Sequence, residues 1–262
     1  MLYYNYFILT TTFIASPLEQ FEILSLFKFL GFNLTNQFYF LFLLVGSFCI
    51  FFYKFLIAPK TKTLYAVPGR WQLVLESIYL LILNLVKDNI NGSRGQRFFP
   101  IIFTLFTFIA GMNLIGLIPY SYTVTSHFIV TLSLSLTVFI GINIICIRTH
   151  KLEFFSLFLP AGTSFALAFL LVPVELISYI FKPLSLAIRL FCNMMAGHTL
   201  LKVFAGFSWS LMHFSGVLFF LQAIPLLILI PLYGLEFGVA LIQAFVFSLL
   251  TCIYLNDAVN LH

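Results

Sequence analysis

From Phe154 to Val259 the sequence stays apolar, with no polar loop of ordinary size. A helix crossing a bilayer needs about 20 apolar residues. This stretch is therefore too long for one crossing and reads as two long helices, about Thr163–Phe207 and Met212–Val259. Pro173, Pro183, Pro225 and Pro231 fall within them. Each removes a backbone hydrogen bond that lipid cannot replace, so each is expected to bend its helix. Three bilayer-length runs come earlier: Gln37–Ile57, Phe98–Ile118 closed by Pro119, and His127–Ile147. Arg70–Ile90 is different, because it carries Arg70, Gln72, Glu76, Lys87 and Asp88 among its apolar residues. It is expected to be an amphipathic helix at the membrane surface, with a tilted crossing as the alternative. The expected fold is all-α and polytopic, with about five membrane helices, one amphipathic surface helix, and two long tilted or kinked helices at the C-terminal end. Three regions follow: an N-terminal tail at 1–36, the earlier helices at 37–153, and the long helices at 154–262.

Composition excludes the soluble alternatives. The chain is 62% hydrophobic and 8% charged, and a soluble surface that apolar would aggregate. Phe does in lipid what Leu does, so the 35 Phe read as codon bias suited to an AT-rich organellar genome. Cys49, Cys146, Cys192 and Cys252 stand singly in apolar runs, which argues against a zinc site, a redox motif or a disulfide framework. The net charge of +5 is spread over short loops, so nucleic-acid binding is not expected. Met1–Ala15 lacks a basic start, so it does not read as a secretory signal peptide and is expected to be retained.

Loop charge is asymmetric. Lys60, Lys62 and Arg70 follow the first run, Lys87, Arg94 and Arg97 precede the second, and Arg148 and Lys151 follow the third. Tyr120–Ser126 has no Lys or Arg. The positive-inside rule puts the basic loops on the cytoplasmic or matrix side, and Tyr120–Ser126 with the N-terminal tail on the other.

Ionisable groups at membrane depth are costly, about 2.5–3.5 kcal/mol each on insertion scales, and so suggest function. The last two helices carry Glu175, Lys182, Arg189, His198, Lys202, His213 and Glu236, with Asn193 and Gln243. Lys182, Lys202 and His213 suit snorkelling or structural pairing. At roughly 100° per residue, Glu175 and Asn193 share the Arg189 face with Lys182, Ser185 and Ala196. Such a stripe of small and polar residues suits close approach of another helix. His198 falls on the opposite side of an unbent helix. Arg189 cannot release its proton, but its field favours an ionised carboxylate nearby. Glu175, His198 and Glu236 can exchange protons. Exchangeable groups on either side of an arginine that holds its proton make two proton paths separated by an electrostatic gate.

Five ordered segments resemble subunit a of the F-type ATP synthases. They are SPLEQFEI at Ser16–Ile23, IPYSYTVTSH at Ile118–His127, FFSLFLPAGT at Phe154–Thr163, LSLAIRLFCNMMAGHTLLKVFAGF at Leu184–Phe207, and YLNDAVNLH at Tyr254–His262. The resemblance implies that Arg189 is the essential arginine facing the ring of c subunits. Glu175 matches the acidic residue of the matrix-side half-channel, and His198 with Glu236 the pair lining the half-channel from the intermembrane space. Asn193 and Gln243 match polar residues near the arginine, and Asp257 an acidic position near the outer channel mouth. The family also implies that the long helices tilt steeply along the ring.

The order His198 then Glu236 is that of mitochondrial members, whereas many bacterial relatives exchange the two. This points to the mitochondrial inner membrane, with basic loops in the matrix. Implied partners are the c-ring, other Fo and peripheral-stalk subunits and membrane lipids, in a complex that is dimeric in mitochondria. No cofactor is implied, and the chain contains no phosphate-binding Gly-rich loop with its Lys, so ATP chemistry is expected on other subunits. Met1–Ala15 matches nothing in the family. A self-contained secondary transporter would need inverted repeats, and the Arg189 helix has no second copy. A purely structural subunit would lack such a cluster of buried charges. A Na⁺-driven version would be decided largely at the c-subunit carboxylate.

Overall fold

A computed structural model describes residues 18–29, 32–52, 70–90, 94–118, 121–151, 165–212, 221 and 223–259. Two helices have 23 residues each, α3 (Arg94–Gly116) and α4 (Phe128–His150). At about 1.5 Å per residue each is about 34 Å long, a match to a bilayer core of about 30 Å. The next two helices are longer: α5 (Phe165–Met212) has 48 residues and α6 (Ala223–Val259) has 37. Their lengths of about 72 and 56 Å exceed any hydrocarbon core, so within a membrane both must tilt. Among the described residues these four helices are long and apolar enough to cross a membrane. The run expected to be the first span is helical as α1 (Asn36–Phe52), and residues 53–57 of that run lie outside the described residues, as do His213 and Met1–Ala15. The chain is a helical, multi-pass membrane protein.

Pro173 and Pro183 lie inside α5 and Pro231 inside α6. Pro225 is also helical, two residues after Ala223.

The α6 helix is the centre of the bundle and packs against α2 (Arg70–Asn89), α3, α4 and α5. It can do so because Ala240, Ala244, Ser248, Thr251 and Cys252 line its buried side, and small residues at this spacing let backbones approach closely. Buried with them are Ile102, Ile109, Leu186, Leu190 and Phe247, all nearly inaccessible. In α2 the face formed by Ile82, Leu85, Val86 and Ile90 is buried, whereas Lys87 and Asp88 are exposed. That is the amphipathic pattern predicted for Arg70–Ile90.

A β-hairpin precedes α1, and hydropathy does not predict it. Strands β1 (Ser25–Phe29) and β2 (Phe32–Thr35) pair antiparallel, with Phe27 opposite Leu34 and Phe29 opposite Phe32. It adds a short sheet to an otherwise helical chain.

Between α3 and α4, residues 121–127 form a largely buried return. Ser121 Oγ donates to the carbonyls of Ile115 and Gly116, at 2.6 and 3.0 Å, and so caps α3. Thr123 and Ser126 bond to each other, and Tyr122 bonds to His127. Burial pushes the Tyr122 hydroxyl up to about 12 and the His127 ring down. Gly116 is required here: a Cβ on it would lie 2.6 Å from Thr123 Cγ2.

Candidate functional site: polar rungs between two long helices

The helices α5 and α6 run antiparallel, and polar pairs join them at three levels. Lys182 Nζ lies 3.9 Å from Asp257 Oδ2. Asn193 Nδ2 donates to Gln243 Oε1 at 2.9 Å. His198 Nε2 lies 3.5 Å from Glu236 Oε1. The rung numbers rise on α5 as they fall on α6, which is what an antiparallel pair of polar edges requires. At about 1.5 Å per residue, Asn193 stands roughly 16 Å from Lys182 and 8 Å from His198 along the α5 axis.

Arg189 lies between the first two rungs but does not join them. It is exposed and forms no ion pair among the described residues. Ser185, Ile188 and Cys192 beside it are exposed too, while Leu186, Ala187, Leu190 and Met194 on the other side are buried. Around Arg189, this face of α5 is thus left uncovered by the bundle. The sequence spacing groups Arg189 and Ser185 here, but of the other residues it puts on this face, Asn193 and Lys182 reach across to α6. Ser185 itself only donates back to the Lys182 carbonyl at 2.9 Å, so it supports the helix rather than a rung.

The third rung is the most enclosed. Glu236 is 4% exposed, yet neither carboxylate oxygen has a hydrogen-bond partner among the described residues. The 3.5 Å separation from His198 is beyond hydrogen-bond length. A cavity of about 230 Å³, lined by Asn193, Gly197, Glu236 and apolar residues of both helices, opens beside the pair. Water occupies about 30 Å³ of liquid per molecule, so the cavity has room for several. Gly197 makes the arrangement possible, because a Cβ there would lie 2.7 Å from Glu236 Oε1 and 3.0 Å from its Cδ. One helical turn from Glu236, the Tyr233 hydroxyl donates to the Leu117 carbonyl at 3.1 Å. This fixes the third rung at the end of the bundle that carries the 121–127 return.

The first rung lies at the opposite end. His150 Nε2 is 3.1 Å from the Val259 carbonyl, which joins the end of α6 to the end of α4, beside Arg148 and Lys151. Lys182 Nζ also lies 5.4 Å from the Tyr179 ring centre and 5.0 Å from that of Tyr254, and Tyr179 bonds to Asn143 of α4. Glu175, two turns before Lys182 on nearly the same face, is exposed.

This corrects the expected position of Asp257. The resemblance groups it with Glu236 and His198 at the outer mouth. At about 1.5 Å of rise per residue, however, α6 carries it about 31 Å beyond Glu236. It pairs there with Lys182, at the basic end of the bundle. Lys182 is thus paired, in keeping with its structural reading. Sequence reasoning misses Asn143, Tyr179, Tyr254 and Gly197. The first three are isolated polar groups within apolar runs, and their meeting depends on how three helices pack.

Residues 39–256 match the family described as ATP synthase A chain. The chain is 50% identical to ATP synthase subunit a of Chondrus crispus over 95% of its own length and 98% of the relative. Against the subunit a of Pylaiella littoralis identity is 51%, over 94% and 99%. Against that of Marchantia polymorpha it is 50%, over 95% and 99%. A family match over most of the chain, joined to relatives half identical along nearly their whole length, places this protein in the ATP synthase subunit a family.

Proposed function

We propose that this chain is the proton-conducting stator subunit of an F-type ATP synthase in the mitochondrial inner membrane. The observation that carries the reading is the exposed Arg189 standing between two polar groups at opposite ends of the bundle. With the basic loops of α3 and α4 on the matrix side, Glu175 and the Lys182–Asp257 rung face the matrix. His198 and Glu236 then face the intermembrane space, as do the N-terminal tail and residues 121–127.

A proton enters past the His198–Glu236 pair, through water in the cavity beside it, and neutralises a carboxylate on a c subunit at the uncovered α5 face. The neutral carboxylate can rotate into lipid. When the ring brings it back to Arg189, the guanidinium favours the ionised form, and the proton leaves past Glu175, Lys182 and Asp257. Asn193 and Gln243 hold the two helices in register beside the arginine. Because Arg189 keeps its own proton, it closes the direct route between the two groups. Each charge crossing the membrane yields about 2.3 kcal/mol per 100 mV, which the ring delivers to ATP chemistry on other subunits. The remaining Fo and peripheral-stalk subunits are its partners, within a dimeric complex.

Exchanging the two members of the third rung tests the entry path. His198→Glu with Glu236→His keeps one carboxylate and one imidazole at the same proton site, so proton-driven ATP synthesis is expected to persist. His198→Ala and Glu236→Ala alone should each abolish it in an assembled complex. Full activity of either single variant would contradict the reading.

A further inference from the structure

The N-terminal segment reaches the third rung. The turn Glu19–Phe21 places the Phe21 ring edge-on against His198, with centroids 6.4 Å apart and planes at 75°. The contact is anchored on its C-terminal side. Asn36, at the start of α1, donates from its side chain to the Glu22 carbonyl at 3.1 Å and from its backbone to the Leu24 carbonyl at 3.0 Å. Between these anchors the β1–β2 hairpin folds the chain back on itself. Gln20 has its side-chain nitrogen shielded from solvent, so the turn is seated on the bundle. Glu19 and Glu22 on either side of it face outward. Holding a short turn in one place costs conformational entropy, and the hairpin and Asn36 meet that cost where the Phe21 ring lies edge-on against the imidazole.

We propose that Phe21 is a positioning residue for proton entry: it covers His198 on the side facing the intermembrane space, so that protons reach the imidazole only past the edge of the Phe21 ring. The inference rests on His198 being reached from that side, as the proposed function has it. Removing the ring leaves the imidazole open to bulk water, and a smaller apolar side chain leaves it partly covered.

The test uses intact complex in membrane vesicles. Cys49, Cys146, Cys192 and Cys252 are replaced by alanine and His198→Cys is introduced as a reporter. An impermeant methanethiosulfonate reagent is then applied from the side of the N-terminal tail. With Phe21 in place the thiol is modified slowly. With Phe21→Ala modification is expected to be several-fold faster, because no ring then screens the thiol, and Phe21→Leu should restore most of the protection. If Phe21→Ala does not assemble, Phe21→Val carries the comparison. Equal rates with Phe and the smaller residues would overturn the role of Phe21 while leaving the entry path intact. No modification with any residue at position 21 would show that His198 is not reached from that side, and would overturn both.

Discussion

Replacing Gly197 by alanine separates folding from conduction. The new Cβ would lie 2.7 Å from Glu236 Oε1, 3.0 Å from Cδ and 3.2 Å from Cγ. Ordinary contact begins near 3.4 Å, so the carboxylate must retreat by several tenths of an ångström. Overpacking of this kind costs about 1–3 kcal/mol, while a helical Gly→Ala change returns about 0.5–1 kcal/mol. The complex should therefore still assemble. Conduction has no such offset, because the displaced atom is the one 3.5 Å from His198. If the full cost of about 1–3 kcal/mol enters the proton-transfer barrier, the rate falls about five- to 150-fold. Proton-driven ATP synthesis per assembled complex, measured in vesicles, reads this directly. Gly206→Ala is the control, since nothing lies within 4 Å of a Cβ at Gly206 on the same helix. Unchanged conduction with Gly197→Ala, at normal assembly, would refute the claim that the Glu236 position controls the transfer.

The second rung should respond asymmetrically. Asn193→Leu strands the amide of Gln243, which is 4% exposed, and should cost about 1–3 kcal/mol. Gln243→Leu leaves only the half-buried, cavity-facing Asn193 and should cost less. A double-mutant cycle on complex stability is expected to give about 0.5–1.5 kcal/mol of coupling. At the return, Gly116→Ala drives a Cβ against Thr123 Cγ2 and should lower thermal stability by about 1–3 kcal/mol. Adding Thr123→Ser removes that methyl and keeps the hydroxyl that bonds Ser126, so it should restore most of the loss.

Much of this architecture is legible in the chain because lipid imposes a simple rule. Apolar length alone locates α3, α4, α5 and the end of α6 to within a few residues, and helical spacing alone puts Arg189 and Ser185 on one face. Asp257 shows the limit of that reasoning. Its distance from Gln243 in sequence is plain, but which end of the bundle it reaches depends on α6 running antiparallel to α5 and locking to α4 through His150. Hydropathy is equally blind to the β1–β2 hairpin, whose backbone bonds leave no trace in apolar length. Gly197 and Phe21 sit in segments recognisable by family resemblance. Yet neither a glycine nor a phenylalanine signals by itself that it shapes the surroundings of a carboxylate on another helix or of a histidine far along the chain.

The central claim is that Arg189 keeps two proton paths apart. Its most direct test is ATP-driven proton pumping by vesicles carrying Arg189→Ala, with passive proton leak measured in the same assembled complex. The account predicts that pumping is lost and that passive leak rises, because nothing then closes the route between the His198–Glu236 rung and the basic end. Pumping at the normal rate, without added leak, would contradict it.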